Sequence, residues 1–299
     1  DAPAIVERLI ANPAVRRVNF TGSTHVGRIV GELSARHLKP ALLELGGKAP
    51  AIVRSDADLT AAVRGIVGGA CVMAGQMCTA ISRVLVHESV ATDFSAQLAQ
   101  ALAQVKVGPG DQPSSGMGPL IDQRNQARLL DEVRAAAQDC RVLLAGHVPD
   151  DTPRGGAFIT PSLVATQDLN SHFVQDEIFG PILPVLTYDS NEEALDIIRR
   201  NPNPLAFYVF TNDTATEQYW LTNVPSGGAC VNNTSWHLTN HALPFGGRGF
   251  SGMGGYHGKL SFTTFTHMKS VMKTPTWLDP DLKYPPYKGK GWLLKKLIG

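Results

Sequence analysis

The chain has 299 residues, 43% hydrophobic and 18% charged, with a net charge of +1. That length corresponds to about two domains of roughly 150 residues each. The apolar content excludes disorder for the bulk of the chain, and the balanced charge gives no electrostatic case for nucleic acid.

Four cysteines (Cys71, Cys78, Cys140 and Cys230), spaced by 7, 62 and 90 residues, form neither a disulfide scaffold nor a zinc-finger pattern. Residues 1–18 lack the apolar stretch of a secretory signal. The uncharged run Gly65–Ser82 carries four glycines plus Gln76, Thr79 and Ser82, a poor spanning helix and a normal buried segment. A reduced, cytoplasmic α/β protein without stable membrane insertion is expected.

Taken in chain order, the periodicity predicts strands at Val15–Phe20, Ala41–Leu45, Ala51–Val53, Val84–His87, Val142–Ala145, Ile182–Leu186, Leu205–Phe210 and Ala229–Asn232. Helical patterns lie between them at Thr24–Arg36, Asp58–Met73, Val90–Val105, Asp122–Gln138, Glu192–Arg200 and Thr214–Thr222. Ser55, three before Asp58, and Ser190, three before Glu193, are placed as helix-starting boxes. Strands alternating with helices predict a largely parallel sheet covered on both faces. Val107–Gly118 and Gly146–Gly156 read as loops, and from Lys273 the chain becomes a Pro- and Lys-rich tail.

The turn Phe20–Gly27 (FTGSTHVG) follows a strand and opens a helix. Free N–H groups at such a helix start favour a phosphate or pyrophosphate, although a GxxxxG loop alone is more often a packing turn than a nucleotide site. Gly247–Gly252 (GRGFSG) matches GxGxxG but has no βαβ frame and no acidic residue before Asp279. Gly46-Gly47-Lys48 lacks the flanking residues of a phosphate-binding Walker loop. His237 and His241 have metal spacing but no thiolate pair beside them.

Cys78 sits in Ala-Gly-Gln-Met-Cys-Thr, among small and polar residues. That setting is consistent with a reactive thiol, while on these residues alone the inert buried reading is favoured. Glu44 ends the apolar run Ala41–Leu45. A carboxylate there is either paired or a general base of raised pKa at the end of a parallel strand.

Taken together, FTGSTHVG at 20–27, LELGGK at 43–48, GQMC at 75–78, EIFGP at 177–181 and PFGG at 244–247 resemble the NAD(P)-dependent aldehyde dehydrogenases in order. The spacing is also similar, with 34 residues from Glu44 to Cys78 and 99 from Cys78 to Glu177. The resemblance runs to about residue 274. It implies a parallel-sheet catalytic domain plus an incomplete Rossmann-type cofactor domain.

It further implies that Cys78 attacks an aldehyde to give a thiohemiacetal and then a thioester, with Glu44 activating the hydrolytic water. Gly22, Ser23, Thr24, Val26 and Gly27 would cradle the pyrophosphate of NAD or NADP. Leu45 and Gly46 would touch the nicotinamide, Glu177 and Phe179 would hold its ribose and ring, and Phe245 would line the aldehyde tunnel.

Domains are expected at residues 1–46 (a remnant of the cofactor domain), 47–250 (catalytic) and 251–299 (an oligomerisation strand near His267–Lys273, then the tail). The partners implied are a small aldehyde and a second copy of the chain, in a homodimer or homotetramer. Gly249–His267 and Tyr284-Pro-Pro resemble the class-three group, which takes aromatic and medium- or long-chain aldehydes, whereas Cys78–Leu120 is more like the larger tetrameric groups.

No Asn-Pro-Trp-type segment, the family's side-chain oxyanion donor, precedes Phe20. The chain therefore reads as the C-terminal part of an enzyme. The alternatives are a catalytically inert fragment, a non-catalytic protein on the same scaffold, or an acylating enzyme that hands its thioester to coenzyme A. The closing Trp292–Ile298 is far shorter than the roughly 20 residues a membrane span needs.

Overall fold

The computed structural model describes residues 2–153 and 155–298 and divides into two compact units, Asp1–Phe265 and Thr266–Gly299. Strands of the first unit are β1 (Val18–Thr21), β2 (Ala41–Glu44), β3 (Pro50–Val53), β4 (Arg83–His87) and β5 (Arg141–Leu144). They continue with β6 (Ser162–Ala165), β7 (Ile182–Tyr188), β8 (Ala206–Phe210), β9 (Gly228–Val231) and β10 (Gly252–Met253). The helices are α1 (Ala2–Ala11), α2 (Thr24–Arg36), α3 (Leu59–Cys71), α4 (Glu88–Ala103) and α5 (Gln123–Asp139). After them come α6 (His172–Gln175), α7 (Asn191–Arg199), α8 (Thr214–Asn223) and α9 (Gly258–Phe265).

The larger sheet has the order β5-β6-β7-β4-β3-β8-β9 and is parallel except at the β5–β6 edge. Its strands bury both faces by alternation. Ala51, Val53, Val84, Val86, Tyr208 and Phe210 pack on the side of α3, α4 and α5, where Ile66, Phe94, Leu98 and Leu129 meet them. Ile52, Leu85, Phe207 and Val209 face α7 and α8, against Leu195, Ile198 and Trp220. Two-sided burial of this kind explains why these strands read as near-continuous apolar runs.

A second sheet joins β1 and β2 in parallel and adds β10 antiparallel to β2. Ile10, Val30, Leu43 and Leu45 form its small core beneath α1 and α2. This is the incomplete Rossmann-type element, beside the parallel catalytic sheet. The β10 strand comes from beyond residue 250 yet completes the sheet of residues 1–46, because Gly252 pairs with Glu44 and Met253 with Leu43.

Several local expectations are corrected. The cap of α3 is Asp58, whose carboxylate accepts from the Ala61 N–H at 3.0 Å, rather than Ser55. The box at α7 forms around Ser190, which accepts from Glu193 N–H, while the Glu193 side chain reaches Asp189 N–H. Helix α1 and strands β6 and β10 were not foreseen. Gly247–Gly252 is a tight turn into β10, where a side chain on Gly247 would run into the Ser251 backbone.

In the second unit residues 267–273 carry no regular secondary structure and no strand pairing among the described residues. It then forms a turn at Asp281–Lys283 and ends in α10 (Gly291–Ile298). Lys290 Nζ donates to the carbonyls of Asp281 and Tyr284 there. Among the described residues, no helix is long and apolar enough to cross a membrane.

Candidate active site

The chain reaches the site from three directions, and each approach is set by local backbone chemistry. Glu44 closes β2, and the Gly22 N–H donates to the Glu44 carbonyl at 3.1 Å, so the β1–α2 turn lies beside the strand end. Cys78 follows α3, where the helix breaks abruptly. Met73 (φ 49°), Ala74 (φ 55°) and Gly75 (φ 71°) are all left-handed, a conformation costing about 1 kcal/mol or more at each non-glycine position.

Gly75 is obligatory at that break, because a Cβ there would lie 2.5 Å from the Gly180 carbonyl oxygen. Gln76 then pins the turn: its amide donates to Met73 O and accepts from Ile121 N–H, both at 2.9 Å. On the far side Tyr208 Oη donates to the Thr79 carbonyl at 2.7 Å. Cys78 is thus held from before and after.

The third approach is the 176–181 loop carrying Glu177 and Phe179. Lys48, 2% exposed, donates from beneath to the Asp176 carbonyl at 2.6 Å, and Arg128 donates to Ile178 O at 3.0 Å. Phe179 is left-handed (φ 53°) and 46% exposed at the mouth. Gly46 lies flat under Glu177, since a Cβ there would stand 2.6 Å from the Glu177 carboxyl carbon.

These segments enclose a cleft of about 620 Å³ lined by Thr21, Gly22, Ser23, Glu44, Gly46 and Gln76, with Met77, Cys78, Glu177 and Phe179 completing it. Of the sequence-derived candidates, Gly22, Ser23, Glu44, Gly46, Cys78, Glu177 and Phe179 converge here. Thr24, Gly27 and Leu45 instead line a neighbouring cavity with Phe250 and Asn203, and Val26 is exposed on α2. Ser23 Oγ caps α2 by accepting from Val26 N–H, and Thr24 Oγ1 donates to Phe250 O. Phe245 is buried outside the cleft lining, among Tyr256, His257 and His237.

The electrostatics separate the acid and base roles. Glu44 is 1% exposed, and neither carboxyl oxygen has a hydrogen-bond partner. Burial raises its pKa to about 7, which suits a base working near neutrality. Burial raises the Cys78 thiol to about 11, with the charges of Glu44 and Glu177 adding to the effect. The resting sulfur therefore holds its proton.

Burial also raises Glu177, against the opposing Gly47 N–H and the Lys48 charge. Burial lowers Lys48 to about 7, assisted by Arg83 and opposed by Glu177. Sequence reasoning misses Lys48 here, since Gly46-Gly47-Lys48 reads only as a failed Walker loop. The histidines weighed as ligands have other contacts: His237 Nδ1 lies 3.2 Å from Cys230 Sγ, and His241 packs on His257.

A parallel-sheet α/β scaffold that sets a thiol in the turn after a helix and an unpaired carboxylate at a strand end, beside a glycine turn opening a helix, defines a thiol-chemistry site adjoining a nucleotide-type fold. The chain belongs to the aldehyde dehydrogenase family, whose family model matches residues 1–271. It is 41% identical to a 4,4'-diaponeurosporen-aldehyde dehydrogenase of Staphylococcus aureus, over 91% of this chain and 58% of the relative.

It is also 43% identical to a vanillin dehydrogenase of Pseudomonas fluorescens, over 91% of this chain and 55% of that one. The solved substrate-bound state of Staphylococcus aureus AldH superposes with a TM-score of 0.89 at 38% identity, covering 99% of this chain and 63% of the other. The chain thus spans a little over half the length of the relatives it matches.

Proposed function

We propose that this chain carries the reacting groups of an NAD(P)-dependent aldehyde dehydrogenase that oxidises an aldehyde to a carboxylic acid. The observation that carries the reading is Glu44, a buried carboxylate with no partner and a pKa near 7, in the same cleft as Cys78. A structural carboxylate at that depth would be paired.

In this reading Cys78 Sγ bonds to the carbonyl carbon while its proton ends on the former carbonyl oxygen, giving a thiohemiacetal. Loss of hydride from that carbon and of the hydroxyl proton to water converts the adduct to a thioester on Cys78. Glu44 then takes a proton from water as the water oxygen attacks the thioester carbon, and the acid leaves with Cys78 restored as a thiol. A nicotinamide cofactor, when bound, supplies the hydride acceptor.

The residues present suit such a cofactor. The Gly22–Ser23 turn at the start of α2 opens onto the cleft, and Gly46 leaves room for the Glu177 carboxylate that a side chain would displace. Glu177 and Phe179 would hold the ribose and ring. Thr24, Val26, Gly27 and Leu45 would serve the cofactor from the neighbouring side of α2, and Phe245 would back the aldehyde site through Tyr256.

The domain division at residues 46 and 250 belongs to the same reading. So does assembly as a homodimer or homotetramer: the 267–273 segment exposes Met268, Val271 and Met272 and pairs with no strand among the described residues. A cytoplasmic setting agrees with four free cysteines.

The test is NADH or NADPH formation by the chain with one aromatic and one aliphatic aldehyde, beside Cys78→Ser and Glu44→Gln, with and without coenzyme A. Turnover lost in Cys78→Ser and independent of coenzyme A is expected. Full activity in Cys78→Ser would overturn the mechanism. Coenzyme A dependence would move the reading to an acylating enzyme.

A further inference from the structure

The loop bearing Glu177 and Phe179 leaves α6 at Gln175, and residues 176–181 carry no helix or strand. Its backbone is strained, because Phe179 is left-handed (φ 53°) without being glycine. Such a conformation persists only where the surroundings over-determine it. Two close approaches wedge the loop. A Cβ on Gly46 would lie 2.6 Å from the Glu177 carboxyl carbon, and one on Gly75 would lie 2.7 Å from the Gly180 carbonyl carbon.

Three carbonyls at the start of the loop are each taken by a side chain from a different part of the fold. Asn201, just past α7, donates to Gln175 O at 2.9 Å. Lys48, between β2 and β3, donates to Asp176 O at 2.6 Å, and Arg128 of α5 donates to Ile178 O at 3.0 Å. Asn201 is itself anchored, since its Oδ1 accepts from Arg83 Nη1 at 2.8 Å. Arg83 is fully buried at the start of β4. A guanidinium only donates and a carbonyl only accepts, so the Asn201 amide has one orientation.

We propose that Lys48 and Asn201 are positioning residues for cofactor binding, holding the backbone at 175 and 176 so that Glu177 and Phe179 line the cleft. This rests on the reading of those two as holders of the nicotinamide ribose and ring. Side chains that bond the loop's carbonyls fix its path and leave its own side chains free for a ligand. When one hold is lost the strained loop relaxes, and only a fraction of the molecules keeps the binding-competent form. Apparent affinity falls by that fraction. One buried hydrogen bond is enough for about a tenfold change. Arg128 is a poorer probe, because it also pairs with Glu132 at 2.6 Å.

Two measurements on the full chain test this, with Lys48→Met and Asn201→Asp. Methionine matches the length of lysine without its donor. Aspartate keeps an acceptor for Arg83 and turns the atom facing Gln175 O from donor to acceptor. The first measurement is hydrogen exchange by mass spectrometry without cofactor, on the peptide 172–182, where Asp176 N–H donates to His172 O and Ile182 N–H to Gly180 O. Those amides are expected to exchange about tenfold faster in each variant, with β3 and β4 unchanged. The second is fluorescence titration with NADH and NADPH, where the dissociation constant is expected to rise about tenfold. Should Lys48→Met fail to fold, Asn201→Asp carries both measurements.

Unchanged exchange in either folded variant, or faster exchange with unchanged affinity, would overturn the proposal. So would faster exchange spread equally over β3 and β4, which marks a general loss of stability. A parent chain that binds neither nucleotide, or a Glu177→Ala, Phe179→Ala double variant that binds as the parent does, would overturn the underlying reading instead. Exchange reads the hold on the loop without cofactor, so the two failures are told apart.

Discussion

Replacing Glu44 with glutamine should remove hydrolysis and at the same time stabilise the fold, by an amount that depends on pH. Burial holds the folded-state pKa of Glu44 at about 7, against an ordinary value of 4.5. Because the folded value is the higher one, the folded chain holds more protons than the unfolded chain between those two values. The contribution of Glu44 to stability is therefore fully present below pH 4.5 and is lost as pH rises through 7.

The full shift corresponds to about 3 kcal/mol, and solvent in the open cleft reduces the part lost between pH 5 and 8.5 to about 2 kcal/mol. Glutamine keeps the shape and never ionises. The stability gap in favour of Glu44→Gln should thus widen by about 2 kcal/mol from pH 5 to 8.5. Urea unfolding of both proteins, followed by tryptophan fluorescence at four pH values, measures it. A gap that stays constant with pH, or a variant less stable than the parent at pH 8.5, would refute the picture of Glu44 as a buried carboxylate without a partner.

Three further outcomes are expected. With the Cys78 thiol raised to about 11 by burial and by Glu44 and Glu177, its alkylation by iodoacetamide should rise about tenfold per pH unit from 7 to 9; mass spectrometry of the Cys78 peptide would show a plateau below pH 9 if this is wrong. Gly75→Ala places a Cβ 2.5 Å from Gly180 O at a φ of 71°, and should cost about 2 kcal/mol or more, read as a fall in the urea midpoint. Asp58→Ala should cost about 1 kcal/mol through loss of the α3 cap, while Ser55→Ala stays within about 0.5 kcal/mol; equal effects of the two in thermal melts would contradict the cap assignment.

Much of the fold was legible because burial leaves a periodic trace. The strands β3, β4, β7 and β8 are buried on both faces and so read as apolar runs between amphipathic helices. The elements that escaped notice have weaker traces. β6 is four residues long, β10 is two residues within a glycine-rich turn, and α1 leaves all but Ile10 exposed. The cap of α3 was misplaced because Ser55 and Asp58 are both good capping residues. Only the backbone geometry chooses between them.

For the site, residue chemistry alone raised Cys78, Glu44 and the 20–27 turn only beside bland structural readings; it was the order and spacing of five motifs, through their resemblance to the aldehyde dehydrogenases, that singled them out and added Glu177. Sequence alone did not set their electrostatic state. A carboxylate in LELGG could equally have been paired, and its pKa near 7 arises because no donor reaches it once β2 is buried. Nor did it show that Lys48 supports the loop of Glu177 from a distance of 128 residues in the chain, or that β10 returns to pair with β2 opposite Glu44. Such contacts depend on how strands far apart in the chain are registered. That register is decided by packing of the whole sheet, and no local pattern of residues encodes it.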